Sequence, residues 1–397
     1  MGESDSIYAT QAAVGSRPAS VIIANYNYGR FLAKAIESAL GQTYPDTEVI
    51  VVDDGSTDNS REVIDRFDGK IRPVMKQNGG QASAFNAGFE ASRGEIIIFL
   101  DADDYLLPEA VETACQFLVD PNVVRVQWPL RVVDEQDRPT GQVRPSKSLD
   151  EGDLRDQVIR YGPYGYNTAP GASGSAWARS FIGRVYPIGE CGDKHGADAY
   201  LNVLAPLYGR IVKSACPLAC YRKHGSNFSL GRLVIEKARR DLKRYDYYCE
   251  LFVDHLKNQG VVKDIGEWKE WREGNPYYLW HFDAVETGQK LMNLIPCGEI
   301  YILAGQDDLG LPSWLEGRIH LPFTECGGHY WGPPMDSEAA LLELEAKRGS
   351  GAKYIVFTSS SFWWLDYYSE LNEYLASKCQ CILRNECVIV YLLGERS

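Results

Sequence analysis

From Ala19 onward, short apolar runs alternate with segments whose apolar residues recur at helical spacing. Ala19 to Ala24 and Glu48 to Val52 read as buried strands, Ile71 to Met75 as a shorter one, and Glu95 to Leu100 as a fourth. Between them, Phe31, Ala35, Ile36, Ala39 and Leu40 mark one face of a helix closed by Gly41. Val63, Ile64 and Phe67 mark a second helix, and Ala82 to Ser92 a third. Strands alternating with helices imply βαβ crossovers and a parallel sheet covered on both sides. The pattern predicts a doubly wound α/β fold, in which ligands bind beyond the carboxyl ends of the strands. Three strands deliver polar residues to that edge: Asn25-Tyr26-Asn27, Asp53-Asp54-Gly55 and Asp101-Ala102-Asp103-Asp104.

The last of these concentrates the chemistry. Three carboxylates within four residues repel one another and push their pKa values up, and a divalent cation relieves that repulsion. A solvated acidic turn is the plain alternative for such a motif on its own. No Gly-x-Gly-x-x-Gly follows the first strand and no Gly-Lys-Ser/Thr occurs, which disfavours a Rossmann dinucleotide site and a P-loop. A net charge of -13 argues against nucleic acid as a partner, because phosphate binding needs a basic footprint.

Further along, Tyr161 to Trp177 is rich in Gly and Tyr with little periodicity. Such a segment suits a loop that stacks sugars, and equally a plain irregular connection. Residues 232–290 carry helical periodicity with many aromatics, Tyr245, Tyr248, Phe252 and Trp271 among them, which suits a core better than a ligand cage. A second α/β pattern follows: strands Glu299 to Ala304 and Ala352 to Phe357, helices Ser337 to Arg348 and Tyr367 to Lys378, and a hairpin of Gln380 to Arg384 with Cys387 to Leu393. The 397 residues exceed a single core. They divide into a flexible tail at 1–17, an α/β domain at 18–231, a helical linker or subdomain at 232–295 and a small α/β accessory domain at 296–397. No apolar run reaches bilayer length, so no integral membrane segment is expected, while peripheral association with a membrane stays open. Ten scattered cysteines without zinc-knuckle spacing predict reduced thiols in a cytoplasmic protein.

Four segments then stand out in order: Ser20-Val21-Ile22-Ile23-Ala24-Asn25-Tyr26-Asn27, Glu48 to Asp58, Gly79 to Gly94, and Phe99-Leu100-Asp101-Ala102-Asp103-Asp104. Together they resemble the nucleotide-sugar-binding half of family 2 glycosyltransferases with the GT-A fold, covering 18–110 and leaving 111–231 as the acceptor half. The resemblance implies that Ala24, Tyr26, Asp53, Asp54, Gln81 and Asp101 line the nucleotide sugar and that Asp103 binds Mn²⁺ or Mg²⁺. Tyr221-Arg222-Lys223-His224-Gly225-Ser226-Asn227 resembles the family's Tyr-Arg-x-His-x-x-Asn segment and adds His224 beside the metal or diphosphate. The family's acidic pair before an apolar helix is matched by Ala197-Asp198, which makes Asp198 the expected general base and Asp193 the second choice.

Structural alternatives exist for each: an N-cap role for Asp53 before a helix from Ser56 and for Asp198 at its own helix start, and a packing role for His224. Asp104 has no expected role beyond capping the turn into Leu106. The activity implied is a metal-dependent inverting transfer of a sugar from a nucleotide diphosphate sugar, a UDP-sugar, to a hydroxyl of a saccharide or glycan acceptor. A non-catalytic nucleotide-sugar or carbohydrate-binding protein of the same fold is the alternative, because the first acid of the pair is replaced by Ala197. A nucleotidyltransferase is disfavoured, since Asn25 to Gly29 stands where a basic glycine loop would be. Gly327 to Pro334 and Phe362 to Tyr367 resemble a module appended to some bacterial glycosyltransferases.

Overall fold

Four parallel strands form the heart of the molecule in a computed structural model that describes residues 17–168, 171–189, 191–192, 196–225, 234–261, 268–305, 309–327 and 329–394. These are β1 (Ala19–Asn25), β2 (Thr47–Asp53), β3 (Arg72–Met75) and β4 (Ile96–Asp101), ordered β3-β2-β1-β4. Nearly every residue of β1, β2 and β4 is buried, which explains their continuous apolar runs. Helix α1 (Gly29–Leu40) buries Phe31, Leu32, Ala35, Ile36 and Ala39 on one face of this sheet, and α2 (Ser60–Asp65) packs beside it. Helix α3 (Gln81–Ala91) covers the opposite face, where Phe85 stacks on Phe99 with ring centroids 4.0 Å apart. Helix α2 begins at Ser60, so Asp53 does not cap it.

The segment 105–222 extends the sheet and departs from a wholly parallel plan. Its elements are β5 (Tyr105–Leu106), α4 (Ala110–Phe117), β6 (Val123–Gln127), β7 (Leu130–Val133), β8 (Pro139–Arg144), α5 (Arg155–Tyr161), β9 (Ser175–Ala178), α6 (Arg179–Val185), α7 (Ala197–Leu204), β10 (Arg210–Lys213) and β11 (Ala219–Arg222). The full sheet runs β10-β6-β9-β4-β1-β2-β3, with β9 antiparallel to both β4 and β6. Because β9 runs against β4, it starts at the edge where β4 ends, and the residues just before it are delivered to that edge. A second sheet, β5-β11-β7-β8, lies in the same unit.

The chain forms two compact units, one within 1–227 and 246–271, the other within 228–245 and 272–397. The helical stretch expected at 232–295 is therefore shared between them. In the first unit Tyr248, Phe252 and Trp271 are buried, Phe252 edge-on to Trp271. The second unit holds a five-stranded sheet ordered Ile319–Pro322, Ile300–Ala304, Ala352–Thr358, Val388–Leu392, Gln380–Arg384, with the last two strands forming the expected hairpin. One face packs Ala340, Leu344, Trp364, Leu371 and Leu375, and the other packs Leu291, Ile295, Trp314 and Leu315. The helix expected over Tyr367 to Lys378 is two, Trp363–Tyr367 and Ser369–Lys378, because Tyr368 leaves the helical region at ψ 81. No described helix is long and apolar enough to cross a membrane.

Packing of α3 on the sheet leaves no room for a side chain at Gly88, where a Cβ would stand 2.2 Å from Ile22 Cγ2. Ile22 is fully buried and cannot give way. Gly88→Ala should cost about 1–3 kcal/mol through overpacking, read as a lowered midpoint in urea unfolding with an unchanged slope. A midpoint equal to wild type would show that α3 can lift off the sheet.

Candidate functional site

The chain passes from β1 to β2 and β3 on one side and returns to β4 on the other, so the strand order reverses between β1 and β4. A crevice forms at such a point, beyond the strand ends. In register, Ala24 faces Asp101 across one boundary, and Asn25 faces Asp53 across the other. The Asn25 amide donates to Asp53 Oδ1 at 3.0 Å and to Ser56 Oγ at 3.1 Å. That leaves Asn25 Oδ1 buried without a hydrogen-bond partner. An unsatisfied buried acceptor costs roughly 1–3 kcal/mol, so a donor brought by a ligand is favoured there. Asn27, at a positive φ of 59, takes no part in the crevice and laces the loops instead, accepting from Thr57 N at 2.7 Å. Tyr26 stands exposed at the strand end, and the Ala24 carbonyl accepts from Ala102 N at 3.2 Å.

Asp54 is engaged by the protein through both oxygens: Lys76 Nζ at 2.5 Å and Gly79 N at 3.0 Å on Oδ1, Gly80 N at 2.7 Å and Asn78 Nδ2 at 3.2 Å on Oδ2. These bonds hold the turn before α3. Among the described residues the Asp53 carboxylate accepts from Asn25 Nδ2 and Ser56 N, at 3.0 and 3.3 Å, fewer partners than Asp54 has.

At the end of β4 the three carboxylates are held apart by separate partners. Asp104 is buried and structural: it accepts from Ser173 Oγ at 2.7 Å and from Arg222 N at 3.0 Å. Arg222 in turn donates to the Asp103 carbonyl at 2.6 Å and pairs with Asp137 at 2.5 Å. Asp103 Oδ2 lies 3.1 Å from His224 Nε2, and the imidazole packs against Phe31 and Tyr28 with centroids 4.7 and 5.7 Å away. Asp101 accepts from Gln81 Nε2 at 3.2 Å. Burial, then Asp103, then Asp198, pushes the Asp101 carboxyl up to about 8, and burial followed by Asp103 and Asp101 pushes Asp104 well up.

Gln81, expected to touch the nucleotide sugar, bridges parts of the protein. While its Nε2 binds Asp101, its Oε1 accepts from Gly196 N at 2.9 Å and Ala197 N at 3.1 Å, the first amides of α7. Tyr248 donates to the Gly196 carbonyl at 2.8 Å. Asp198 sits in the first turn of this helix, whose N-cap is Gly196, so Asp198 is not the cap. Half-buried, its charge acts on Asp101. Asp193, the second choice, lies outside the described residues, as do Ser226 and Asn227. Asp101 is thus hydrogen-bonded to Gln81 and feels the charges of Asp103 and Asp198, and Asp103 meets His224. Sequence reasoning named Asn25 as a polar residue at the strand end and missed Ser173 and the bracing role of Arg222. Of the two missed residues only Arg222 carried a signal, its place two residues before His224.

A cation site can be judged from the donors. Among the described residues no three His, Cys, Asp or Glu side chains cluster at ligand spacing. Asp103 and His224 make a pair, 3.1 Å apart. Two ligands about 2.1 Å from a small divalent cation and at right angles lie about 3 Å apart, and such ions complete their shell with substrate phosphates and water. The pair fits a cation shared with a diphosphate better than a closed protein cage.

With this geometry in hand, comparison with known proteins assigns the class. Residues 20–181 match the family described as "Glycosyl transferase family 2", and this part of the chain is a domain of that family. An uncharacterized glycosyltransferase of Nostoc sp. strain PCC 7120 is 38% identical over 212 residues, 52% of this chain and 65% of that one. The chondroitin synthase of Pasteurella multocida is 43% identical over 111 residues, 27% of this chain and 12% of that one. The chain thus spans less than two thirds of the length of these relatives. Among solved structures, S. aureus TarS 1-349 in complex with UDP-GlcNAc aligns with 18% identity and a TM-score of 0.44, covering 68% of this chain and 83% of that one.

A pH dependence follows from Asp101. Its folded pKa of about 8 lies above the ordinary 3.8, so the folded state binds the proton more tightly than the unfolded state. Its contribution to stability is complete below the ordinary value, declines as pH rises, and is lost by about 8. In EDTA the protein should melt at a lower temperature at pH 8 than at pH 5.5, and Asp101→Asn should flatten that difference. Equal slopes for the two proteins would refute the crowding.

Proposed function

We propose that the chain is a metal-dependent, inverting glycosyltransferase that moves a sugar from a UDP-sugar to a hydroxyl of a saccharide or glycan. The observation that supports this reading is the hydrogen-bonded link from Asp101 through Gln81 to the first amides of α7, the helix that carries Asp198. In the transfer, the acceptor oxygen bonds to the anomeric carbon as the bond to the diphosphate oxygen breaks on the opposite face. Asp198 takes the acceptor proton, and a single base suffices for one displacement with inversion. Asp103 and His224 hold a divalent cation, Mn²⁺ or Mg²⁺, which when bound offsets the charge of the leaving diphosphate.

The buried pair at the end of β1 and β2 suits a base with a ring N–H, which uracil and guanine both carry, and the choice of uracil between them rests on the family resemblance. Asn25 Oδ1 and Asp53 are both acceptors, and they suit a base with a ring N–H donor. Tyr26, exposed beside them, offers a ring face to that base. On the acceptor side, exposed Tyr161 and Tyr164 offer faces for a saccharide.

A screen of nucleotide sugars for Mn²⁺-dependent binding and turnover tests donor and metal together. Asp103→Asn should abolish Mn²⁺-dependent UDP binding in calorimetry, and full binding by this variant would remove the metal role. Asp198→Asn should lower transfer by about 10²–10⁴-fold, the usual contribution of a general base, with UDP affinity unchanged. Turnover at the wild-type rate by Asp198→Asn would eliminate Asp198 as the base, and absence of turnover in wild type with every donor would favour a binding protein.

A further inference from the structure

Arg125 is a cation in the protein interior. It lies on β6, fully buried, and among the described residues it forms no ion pair. Its hydrogen bonds all go to neutral hydroxyls: Ser175 Oγ at 2.8 and 3.1 Å, Thr168 Oγ1 at 2.6 Å and Tyr166 at 3.2 Å. The guanidinium also lies over the ring of Trp177, 4.8 Å from its centroid. Every one of these partners comes from the Gly- and Tyr-rich segment between Tyr161 and Trp177. A segment that reads as a loop without periodicity is therefore wrapped around one buried charge.

Burying an unpaired guanidinium is costly, and neutral hydroxyls repay only part of it. Among the described residues, Asp198 is the one carboxylate whose charge acts on Arg125. The link is also mechanical. Tyr166, which accepts from Arg125, donates to the Asn202 carbonyl of α7 at 2.5 Å, one turn beyond Asp198. Helix α7 is thus fastened by Gln81 and Tyr248 at its first residues and by the Arg125–Tyr166 strut further along. Resting on the assignment of Asp198 as base, we propose that Arg125 is a positioning residue for the transfer step. Through the Tyr166 hydroxyl it fixes the helix that presents Asp198. It touches neither donor nor acceptor, and the donor crevice at β1, β2 and β4 is built without it.

A double-mutant cycle of Arg125→Met and Asp198→Asn tests this, read by melting temperature and by turnover of the UDP-sugar that the donor screen identifies. If the strut links them, Asp198→Asn shifts the melting temperature by a different amount with Arg125 present than in the Arg125→Met background, because residues in one hydrogen-bond network couple. Turnover should fall about 10–100-fold in Arg125→Met and less than about threefold when Asp198 is already Asn, with Mn²⁺-UDP affinity within about twofold throughout. Additive shifts, equal losses of turnover in both backgrounds, or collapse of Mn²⁺-UDP binding in Arg125→Met would each overturn the inference.

Should Arg125→Met not fold, Tyr166→Phe removes one hydroxyl and leaves Ser175 and Thr168 on the guanidinium. A drop of about 3–10-fold in kcat with unchanged Mn²⁺-UDP affinity supports the strut, and wild-type kcat overturns it. A harmless Asp198→Asn would instead sink the assignment of the base, whatever the coupling measured by melting.

Discussion

Three carboxylates at the end of one buried strand repel one another, and the arrangement of the first unit answers that repulsion. Asp104 is withdrawn into the protein by Ser173 and the Arg222 amide, Asp103 is turned toward His224, and Asp101 toward Gln81. Each partner arrives from a different element: the segment before β9, strand β11 and the residues after it, and the first turn of α3. The antiparallel course of β9 is part of this answer, because it brings Ser173 to the end of β4, where its hydroxyl also accepts from Asp101 N at 3.2 Å. Strand β11 answers from the other sheet, with Arg222 sandwiched by the rings of Phe31 and Tyr105 at 4.5 and 5.5 Å.

The same solution places the acceptor side. A glutamine side chain has one donor group and one acceptor, and Gln81 uses both, toward a carboxylate and toward a helix start. The orientation of its amide is therefore fixed by its neighbours. Any movement of α7 is felt at Asp101, and crowding among the carboxylates is felt at α7. The end of β4 and the start of α7 are joined through one side chain. The second unit has its own two-faced sheet and its own core, so its stability does not rest on the carboxylates.

Among the site residues, legibility followed the kind of interaction each one makes. Asp103 and His224 stand out by residue type within short motifs, and what only the structure shows is that they lie side by side, 3.1 Å apart. At Asp54, an Asp-Asp-Gly does not disclose that Lys76, Asn78, Gly79 and Gly80 return to its oxygens. At Gln81, the residue type does not disclose a bridge between Asp101 and α7, since an amide can serve a ligand or a backbone equally well. Arg125 gave no signal at all: a lone arginine in a strand of valines reads as an edge residue until Tyr166, Thr168, Ser175 and Trp177 close around it.

By itself the sequence determined what depends on local pattern. Apolar runs and helical spacing specify β1 to β4 and the helices between them, and the placing of polar residues at strand ends specifies where a crevice must lie, because side-chain periodicity and burial are properties of neighbours along the chain. Tertiary structure alone decided which carboxylates are spent on the protein and which face the crevice. It also decided that β9 runs antiparallel and that a buried arginine faces the helix of Asp198. Those outcomes depend on pairings across 20 to 121 residues of separation, such as Gln81 with Asp101 and His224 with Asp103. Hydrogen bonds and charges of that kind are chosen by the fold, once the apolar pattern has brought the partners together.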